Sequence, residues 1–535
     1  MLDLVISGGY IVDGTGAAGF VGELGIDNGK IVSVKRQTGQ MQGRQTIDAE
    51  DLVIAPGFID IHTHADRNIL QRPYAVNYVT QGVTTVAGGN CGSSLAPLSD
   101  EMQKRLAERY SDQQDSAQFD WTNMNGYLDQ VENRKIGINF ATFVGQGNLR
   151  AAVLGTEDVP ADAQQIEKQQ KLLRESIEQG AVGVSTGRRY PPGSYASDEE
   201  VCSLLSALSP YGLLYTSHIK NQDVDIVESI NELFEAGAAN DIPVQLTHLK
   251  VCGKNNWGQA DMINRMMETA RRQGIDVHSD VYPYTFTALS SASRLLPEEY
   301  AQMSRQEQLE CLRDECRRAE VLKEFKQWGQ ENPVRARSIG QTGIVWAKCT
   351  DELEGLSLSE AANGADDRFS AWLDILERNQ MRVYTAGIMD ENDVQAFLEH
   401  DYAMVGSDGI VADPCENDEL GNHPRNFGTF ARVLGRYVRQ KHLMTMEDAV
   451  HKMTGMPADR LQLTRRGLLR EGYWADLVIF DEGEVGDKST VDNPADGAVG
   501  FKKVLVNGTT VVSDDEAIKN ALPGQVLRFD GCGVR

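Results

Sequence analysis

The sequence predicts an α/β protein: a (β/α)8 TIM-like barrel, a small discontinuous β-sandwich domain built from both chain ends, and a helical insertion. Three observations lead to this prediction. Apolar strand patterns alternate with helical patterns through the middle of the chain, both ends carry short alternating strands, and one long charged helical pattern interrupts the alternation.

The middle of the chain contains about nine candidate strands, each bounded by turn residues and separated from the next by helical stretches. They read FIDIHTH, GVTTVAGGNCG, INFATFVGQGN, AVGVSTG, LLYTSHIKN, PVQLTHLKV, DVHSDVYPY, RVYTAGI and AMVGSDG. Strands that alternate with helices form parallel sheets, and at this number a closed (β/α)8 barrel is the expected form. We expect the barrel to span residues 56–467.

The two ends of the chain share a different pattern. Residues 1–55 carry short alternating strands broken by SGG, DGTG and DNGK, and residues 468–535 repeat this pattern around KKVLVNGTTVV. Such turns are typical of a small antiparallel sheet, so we expect the two ends to form one β domain. The charged helical pattern at about 297–345 predicts an insertion on a barrel loop.

Composition excludes some classes of partner. The chain has 535 residues and a formal net charge of -26, which argues against nucleic acid or an anionic membrane, because phosphate binding needs a basic face. The N-terminus has no basic leader, and no apolar run approaches the roughly 20 residues of a spanning helix, so we predict a cytoplasmic protein. The 8 scattered cysteines are typical of free thiols in a reducing compartment.

Residues able to bind a metal stand where the apolar strands end. His62 and His64 follow the first strand, and side chains at i and i+2 of a strand point to the same face. The carboxyl ends of barrel strands converge on one face, so residues from other strand ends can join this pair. Those residues are Cys91, His218, His248 and Asp408. A thiolate, imidazoles and a carboxylate are ligands that zinc prefers, and the pattern therefore predicts a zinc site.

The motifs carry a resemblance to a known family. PGFIDIHTH and GSDG resemble the amidohydrolase superfamily, and GGNCGSS, STGRRYPPGSYA, SHIKN, THLKVCGKNNWG, DVYPY and HPRNFGTFARVLG resemble its N-acyl-D-amino-acid deacylases. The resemblance implies a tightly bound zinc ion on Cys91, His218 and His248. It also implies a weaker second metal position at His62, His64 and Asp408, with a single zinc sufficient for activity.

The implied reaction is hydrolysis of a small-molecule N-acyl-D-amino acid to a carboxylate and a free D-amino acid. Zinc lowers the pKa of bound water, so that hydroxide is available at neutral pH. Asp408 is expected to act as the general base and then to protonate the leaving amine. Lys250, Tyr282 and Arg425 match the positions that bind the substrate carboxylate in the family, and a guanidinium suits bidentate contact with a carboxylate.

The side-chain preference of the enzyme depends on further cations. Arg294 follows the DVYPY strand on a loop expected to rim the pocket, and a cation there would favour acidic substrates such as N-acyl-D-glutamate. Arg188, Arg189 and Lys220 are further candidates and departures from the family pattern.

Two alternatives remain at this point. A cyclic amide hydrolase of the hydantoinase or dihydroorotase type shares the fold, although Cys91 and the lack of an obvious carboxylated lysine speak against it. A non-catalytic amidohydrolase-like scaffold is the other alternative, although such proteins typically lose ligands and all six positions are filled here.

Overall fold

The computed structural model describes most of the chain. The described residues are 1–109, 120–287, 289–291, 295–301, 303–331, 340, 353, 356–381, 383–385, 389–414, 423–490 and 493–535. Arg294 lies outside them.

The strands alternate with helices through the middle of the chain and cluster at its two ends. In chain order they are β1 Leu2–Ile11, β2 Phe20–Asp27, β3 Lys30–Lys35, β4 Gly43–Asp48, β5 Val53–Pro56, β6 Phe58–Asp60, β7 Val83–Gly88, β8 Asn139–Thr142, β9 Val144–Gly145, β10 Gly183–Gly187, β11 Leu214–His218, β12 Val244–Leu246, β13 Val277–Val281, β14 Leu289–Ser291, β15 Val383–Thr385, β16 Ala403–Val405, β17 Leu477–Phe480, β18 Gly486–Asp487, β19 Ala498–Val499, β20 Phe501–Val506, β21 Thr509–Ser513 and β22 Glu516–Ala517.

The α-helices fall between these strands. They are Val76–Val79, Asp100–Arg109, Met124–Arg134, Gln146–Leu154, Ala163–Glu178, Asp198–Leu205, Ile226–Asn240, Ala260–Arg272, Glu298–Ala301, Arg305–Arg313, Glu315–Glu331, Leu358–Ala361, Arg368–Arg378, Glu391–Glu399, Arg425–Arg432, Met446–Met453 and Gly455–Arg460, with a π-helix at Val433–Gln440. In the part of the chain that the structure describes, none of them combines the length and the apolar character that crossing a membrane requires.

The barrel consists of eight parallel strands. Strands β6, β7 and β8 pair in that order, and β9, β10, β11, β12, β13 and β16 continue the series. Only Phe143 separates β8 from β9, so the two form one barrel strand. A parallel bridge between Thr63 and Gly409 joins the last strand to the first, and the Asp408 N–H donates to the His62 carbonyl at 2.8 Å. The predicted barrel is therefore confirmed.

One predicted strand lies outside the barrel. The RVYTAGI pattern corresponds to β15, which pairs antiparallel with β14 in a separate two-stranded sheet. The interpretation of RVYTAGI as a barrel strand was wrong, because β13 pairs directly with β16 and leaves no place between them.

The helix Met124–Arg134 packs through one apolar face. In the helix Met124–Arg134, Met124, Tyr127, Leu128 and Val131 are buried, which is the i, i+3, i+4, i+7 spacing of a single helix face. Asn123 caps this helix by accepting a hydrogen bond from the Gly126 N–H at 2.9 Å. The arrangement leaves the carboxyl ends of the strands and their loops free to form a site.

Strands from both chain ends form one nine-stranded sheet, with the order β22-β21-β20-β17-β5-β1-β2-β3 and β4 beside β1. Along β17, Leu477 and Ile479 belong to an apolar cluster within this part of the protein, whereas Val478 and Phe480 belong to the main core. Successive strand residues face opposite sides, so the sheet has one apolar face towards the barrel. The expectation that both chain ends contribute to one sheet is confirmed, while the β domain with its bounds at 1–55 and 468–535 stays a prediction.

A buried polar network ties this sheet to the barrel. Asp476 accepts hydrogen bonds from Asn139 Nδ2 at 3.1 Å and from the Asn507 N–H at 2.7 Å, and it pairs with Arg466. Arg466 also donates to Gln525 at 2.8 Å. Because Asn139 is the first residue of β8, the network lies at the amino-terminal ends of the strands, opposite the predicted metal ligands.

The chain between β13 and β16 holds the helical insertion. Its helices share a second apolar cluster that includes Phe325 of the helix Glu315–Glu331 and Trp372 of the helix Arg368–Arg378. The cluster extends from Leu295 to Met381. The helical material therefore continues past residue 345, and the predicted bounds 297–345 stay a prediction for the insertion as a domain.

Candidate metal centre

Four side chains meet at the carboxyl ends of the barrel strands. They come from His62, Cys91, His248 and Asp408, and one ligand atom from each lies within 4.8 Å of all the others. Cys91 Sγ is 3.5 Å from His62 Nε2 and 3.3 Å from His248 Nε2. Asp408 Oδ1 is 3.6 Å from His62 Nε2. All four residues are buried, so the cluster is a compact set of soft and hard ligands shielded from solvent.

Three of these residues have left-handed backbone conformations. The φ angle is 53° at Cys91, 37° at His248 and 52° at Asp408. Residues other than glycine seldom adopt positive φ, and such strain clusters at functional sites. Each residue stands just beyond the end of its strand, where the turned backbone directs the side chain towards the barrel axis.

The two remaining predicted ligands adjoin this cluster. His64 Nε2 lies 3.2 Å from Asp408 Oδ1, and the His218 ring centroid lies 4.4 Å from that of His248. Both ring nitrogens of His218 are buried and have no hydrogen-bond partner among the described residues. Buried polar atoms are normally satisfied, so an imidazole with two unsatisfied nitrogens fits a position that receives a metal ion. The donor set as a whole fits zinc.

The structure groups the six proposed ligands differently from the two metal positions that the resemblance implies. His62, expected at the weaker position, contacts Cys91 and packs 4.8 Å from the His248 ring, both of which were expected at the tight position. His218 stands beside the four-residue cluster rather than in it. The division into a tight and a weak position stays a prediction.

Three of the imidazoles are held in the neutral form that binds metal ions. Burial, together with the charge of Lys250, keeps the pKa values of His218 and His248 well below the ordinary histidine value. Burial and the charge of Arg67 lower the pKa of His64 to about 4. At neutral pH each of these rings therefore has a nitrogen lone pair available for coordination.

The two charged members of the site are stabilised by direct partners. Burial disfavours the protonated form of His62, but the neighbouring Asp280 and Cys91 raise its pKa well above the usual range. Burial also disfavours the Asp408 carboxylate, and Arg425 is the main group that holds its pKa well below the usual value. Arg425 Nη1 donates to Asp408 Oδ2 at 2.7 Å. Asp408 is thus an anion at neutral pH.

The predicted carboxylate-binding residues stand together beside Asp408. The Lys250 ammonium and the Arg425 guanidinium each lie 5.2 Å from the Tyr282 ring centroid. Tyr282 is buried, and within the part of the chain that the structure describes its hydroxyl has no hydrogen-bond partner. Burial lowers the pKa of Lys250 to about 8, and Lys250 also donates to Gln222 Oε1 at 3.4 Å. The two cations and the Tyr282 hydroxyl, next to the proposed metal ligands, suit an anionic group of a substrate.

Sequence reasoning missed three residues that surround the site. Asp280 lies 3.2 Å from His62 Nδ1, Gln222 Nε2 lies 3.2 Å from His248 Nδ1, and His423 Nδ1 accepts the backbone N–H of Arg425 at 3.0 Å. Asp280 gave a signal, because an acidic residue in a predicted barrel strand is unusual. Gln222 and His423 stand in loops, where the sequence pattern gave no indication of their contacts.

The cations considered for side-chain specificity have different surroundings. Arg188 is buried and pairs with Asp198 at 2.7 Å, and Lys220 pairs with Asp198 at 2.7 Å and with Glu232 at 3.0 Å. Arg189 is exposed and precedes Tyr190, whose ring centroid is 4.7 Å from that of His218. Arg189 therefore stands near the metal cluster, while Arg188 and Lys220 are engaged with acidic residues.

Comparison with known proteins connects this site to a family. Residues 45–512 match the model of the amidohydrolase family. D-aminoacylase of Alcaligenes xylosoxydans xylosoxydans is 34% identical over 98% of this chain and 97% of its own length. N-acyl-D-glutamate deacylase of the same organism is also 34% identical, over 99% and 97%.

A solved structure agrees with these sequence matches. N-acyl-D-glutamate deacylase from Bordetella bronchiseptica, complexed with zinc and a phosphonate inhibitor that mimics the tetrahedral intermediate, has a TM-score of 0.77 and 32% identity, covering 98% of this chain and 99% of that one. The barrel, the metal-binding cluster and the full-length matches together lead to one conclusion. This chain belongs to the amidohydrolase family and, within it, to the D-aminoacylases and N-acyl-D-amino-acid deacylases.

Proposed function

We propose that this protein is a zinc-dependent hydrolase that cleaves the amide bond of N-acyl-D-amino acids to release a carboxylate and a free D-amino acid. The observation that carries the proposal is the buried cluster of His62, Cys91, His248 and Asp408 beside the cations Lys250 and Arg425. It combines a metal-binding set with an anion-binding set at one face of the barrel. The protein would act in the cytoplasm, as the sequence predicts.

Different residues would bind the metal ion and transfer the proton. Zinc, held by Cys91, His218 and His248 with His62 and His64 beside them, would supply an activated water and polarise the acyl carbonyl. Asp408, an anion at neutral pH, would accept the proton of the attacking water and pass it to the leaving amine.

The substrate carboxylate would be bound by the second set. Arg425 offers two parallel N–H donors, Lys250 adds a second cation, and the Tyr282 hydroxyl is a donor without a partner in the described ranges. Arg425 also donates to Asp408 directly, so a substrate carboxylate bound by Arg425 would lie close to the proton-transfer group. This short separation would align the amide with the attacking water.

Purified, zinc-loaded protein tests the proposal in a substrate panel. We expect release of free amino acid from N-acetyl-D-leucine and N-acetyl-D-glutamate, with far slower release from the matched L-enantiomers. Hydantoin and dihydroorotate serve as cyclic amides. Hydrolysis of a cyclic amide without turnover of either linear D-substrate would contradict the proposal, as would equal rates for both enantiomers. A protein that binds zinc and hydrolyses none of these compounds would support the scaffold alternative.

Within the proposed function we infer a preference for acidic side chains. Arg189 directly precedes Tyr190, whose ring centroid lies 4.7 Å from that of His218, so the arginine follows the backbone to the edge of the site. Arg189 is exposed, whereas Lys220 is paired with Asp198 and Glu232. In a protein of strongly negative net charge, an exposed arginine near the opening of the site would attract a substrate carboxylate.

A pair of variants tests this preference. Arg189→Ala is expected to lower kcat/KM for N-acetyl-D-glutamate about tenfold relative to N-acetyl-D-leucine, which corresponds to the loss of one charge-assisted contact. Lys220→Ala is the matched control and should change the two substrates equally. Arg294→Ala, measured in parallel, examines the cation that the sequence favoured. Equal losses on both substrates in Arg189→Ala would remove Arg189 from the specificity argument.

A further inference from the structure

Asp280 contacts two of the proposed metal ligands at once. Its carboxylate is fully buried in β13, and Oδ1 lies 3.2 Å from His62 Nδ1. The same Oδ1 accepts the backbone N–H of His248 at 2.7 Å, while Oδ2 accepts Gln245 Nε2 at 2.6 Å. One side chain therefore connects the first strand of the barrel to the turn after β12.

A glycine beside the Asp280 carboxylate leaves room for its contact with His62. Gly406 lies against both residues: a Cβ placed on it would lie 2.9 Å from His62 Cβ and 3.1 Å from Asp280 Oδ1. A side chain at position 406 would therefore push the two apart. The hydrogen bond to Asp280 also fixes the His248 backbone, whose φ of 37° is left-handed.

The two nitrogens of His62 face different groups. Nδ1 faces Asp280, and Nε2 faces Cys91 Sγ at 3.5 Å and Asp408 Oδ1 at 3.6 Å. The carboxylate beside Nδ1 orients the ring so that Nε2 faces the cluster, where a metal ion would take the place of a proton on that nitrogen. At His248 the same carboxylate accepts the backbone N–H rather than contacting the ring. It therefore fixes the backbone position from which the imidazole extends.

We propose that Asp280 is a positioning residue of the metal centre, which fixes the orientation of the His62 ring and the backbone of His248 so that both rings reach the same ion. The inference rests on the proposed zinc dependence, but not on the identity of the substrate. Partners of this kind, which contact a metal ligand rather than the metal, typically change metal affinity by about 10- to 100-fold when they are removed.

The experiment measures zinc affinity in the full-length protein by competition with a chromophoric chelator. Asp280→Ala is expected to weaken zinc binding by about 10- to 100-fold and Asp280→Asn by less, because an amide oxygen can still accept the His248 N–H. Gly406→Ala removes no hydrogen-bonding group, yet should weaken zinc binding in the same direction by separating His62 from Asp280. The absorption spectrum of the Co²⁺-substituted protein should change in all three variants, because the geometry of the ligands changes.

Asp276→Asn is the matched control. Asp276 directly precedes the same strand at its other end and pairs with Arg460 at 2.6 Å and Arg271 at 3.0 Å. This variant should lower thermal stability without changing zinc affinity or the Co²⁺ spectrum. If Asp280→Ala does not fold, Asp280→Asn and Gly406→Ala decide the question. Folded variants at 280 and 406 that bind zinc like the wild type would overturn the inference, whereas a wild-type protein without zinc affinity would overturn the proposed function instead.

Discussion

Removal of the metal ion gives the most direct test of the cluster, because zinc bound only to the native state must stabilise it. At free zinc about 1,000 times above the dissociation constant, binding adds about 4 kcal/mol to the free energy of unfolding. With an unfolding entropy of about 2.1 cal/mol/K per residue, the 535 residues give about 1.1 kcal/mol/K, so the expected rise in Tm is about 4 °C if the chain unfolds as one unit.

The assay compares chelator-treated protein with the same protein after addition of Zn²⁺ or Mg²⁺, by calorimetry or dye-binding melts. The rise is expected with Zn²⁺ and not with Mg²⁺, because thiolate and imidazole ligands select the softer ion. Cys91→Ala should lose most of the rise. Cys311→Ala, which removes a buried thiol from the insertion cluster, should keep it. An equal rise with both ions, or a full rise in Cys91→Ala, would refute the assignment of the cluster as a zinc site.

Three further predictions concern single side chains. Asp408→Asn should lower kcat by about 10²- to 10⁴-fold while the protein retains zinc by metal analysis, and a near-normal kcat would remove its proton-transfer role. Arg425→Lys should raise KM at least about tenfold, because an ammonium cannot make two parallel bonds to the substrate carboxylate; an unchanged KM would contradict that contact. Asp476→Ala should destabilise the protein by about 3–5 kcal/mol in urea unfolding, because Arg466 is left buried without its carboxylate, and kcat/KM at 25 °C should stay unchanged.

The fold could be predicted wherever a local sequence pattern favours a single type of secondary structure. Strands such as VTTVAG are rich in β-branched residues and buried on both faces, as in a parallel sheet covered by helices. RVYTAGI has the same local character but lies in the segment that leads into and out of the insertion. Its pairing with β14 depends on a partner almost a hundred residues away, which periodicity cannot detect.

The members of the metal cluster were predictable, but their arrangement was not. The convergence of strand ends indicated that His62, Cys91, His248 and Asp408 would meet, and the structure brings them together. Their grouping depends on backbone angles just past the strands, where the alternation of side chains along a strand no longer applies. Asp280 was missed for a related reason: its partners lie on other strands, and none is near it in sequence.

The strained backbone at Cys91, His248 and Asp408 explains how short strands can build so compact a cluster. A left-handed residue other than glycine costs about 1–2 kcal/mol, and a sequence selected for stability alone would place glycine or asparagine there. Neighbouring strands offset part of this cost, since Asp280 accepts the His248 N–H and the His62 carbonyl accepts the Asp408 N–H. The second of these bonds leads back to the strand of His62, and the first leads to a carboxylate that also contacts His62. These hydrogen bonds from neighbouring strands thereby hold a geometry at His248 and Asp408 that would otherwise relax.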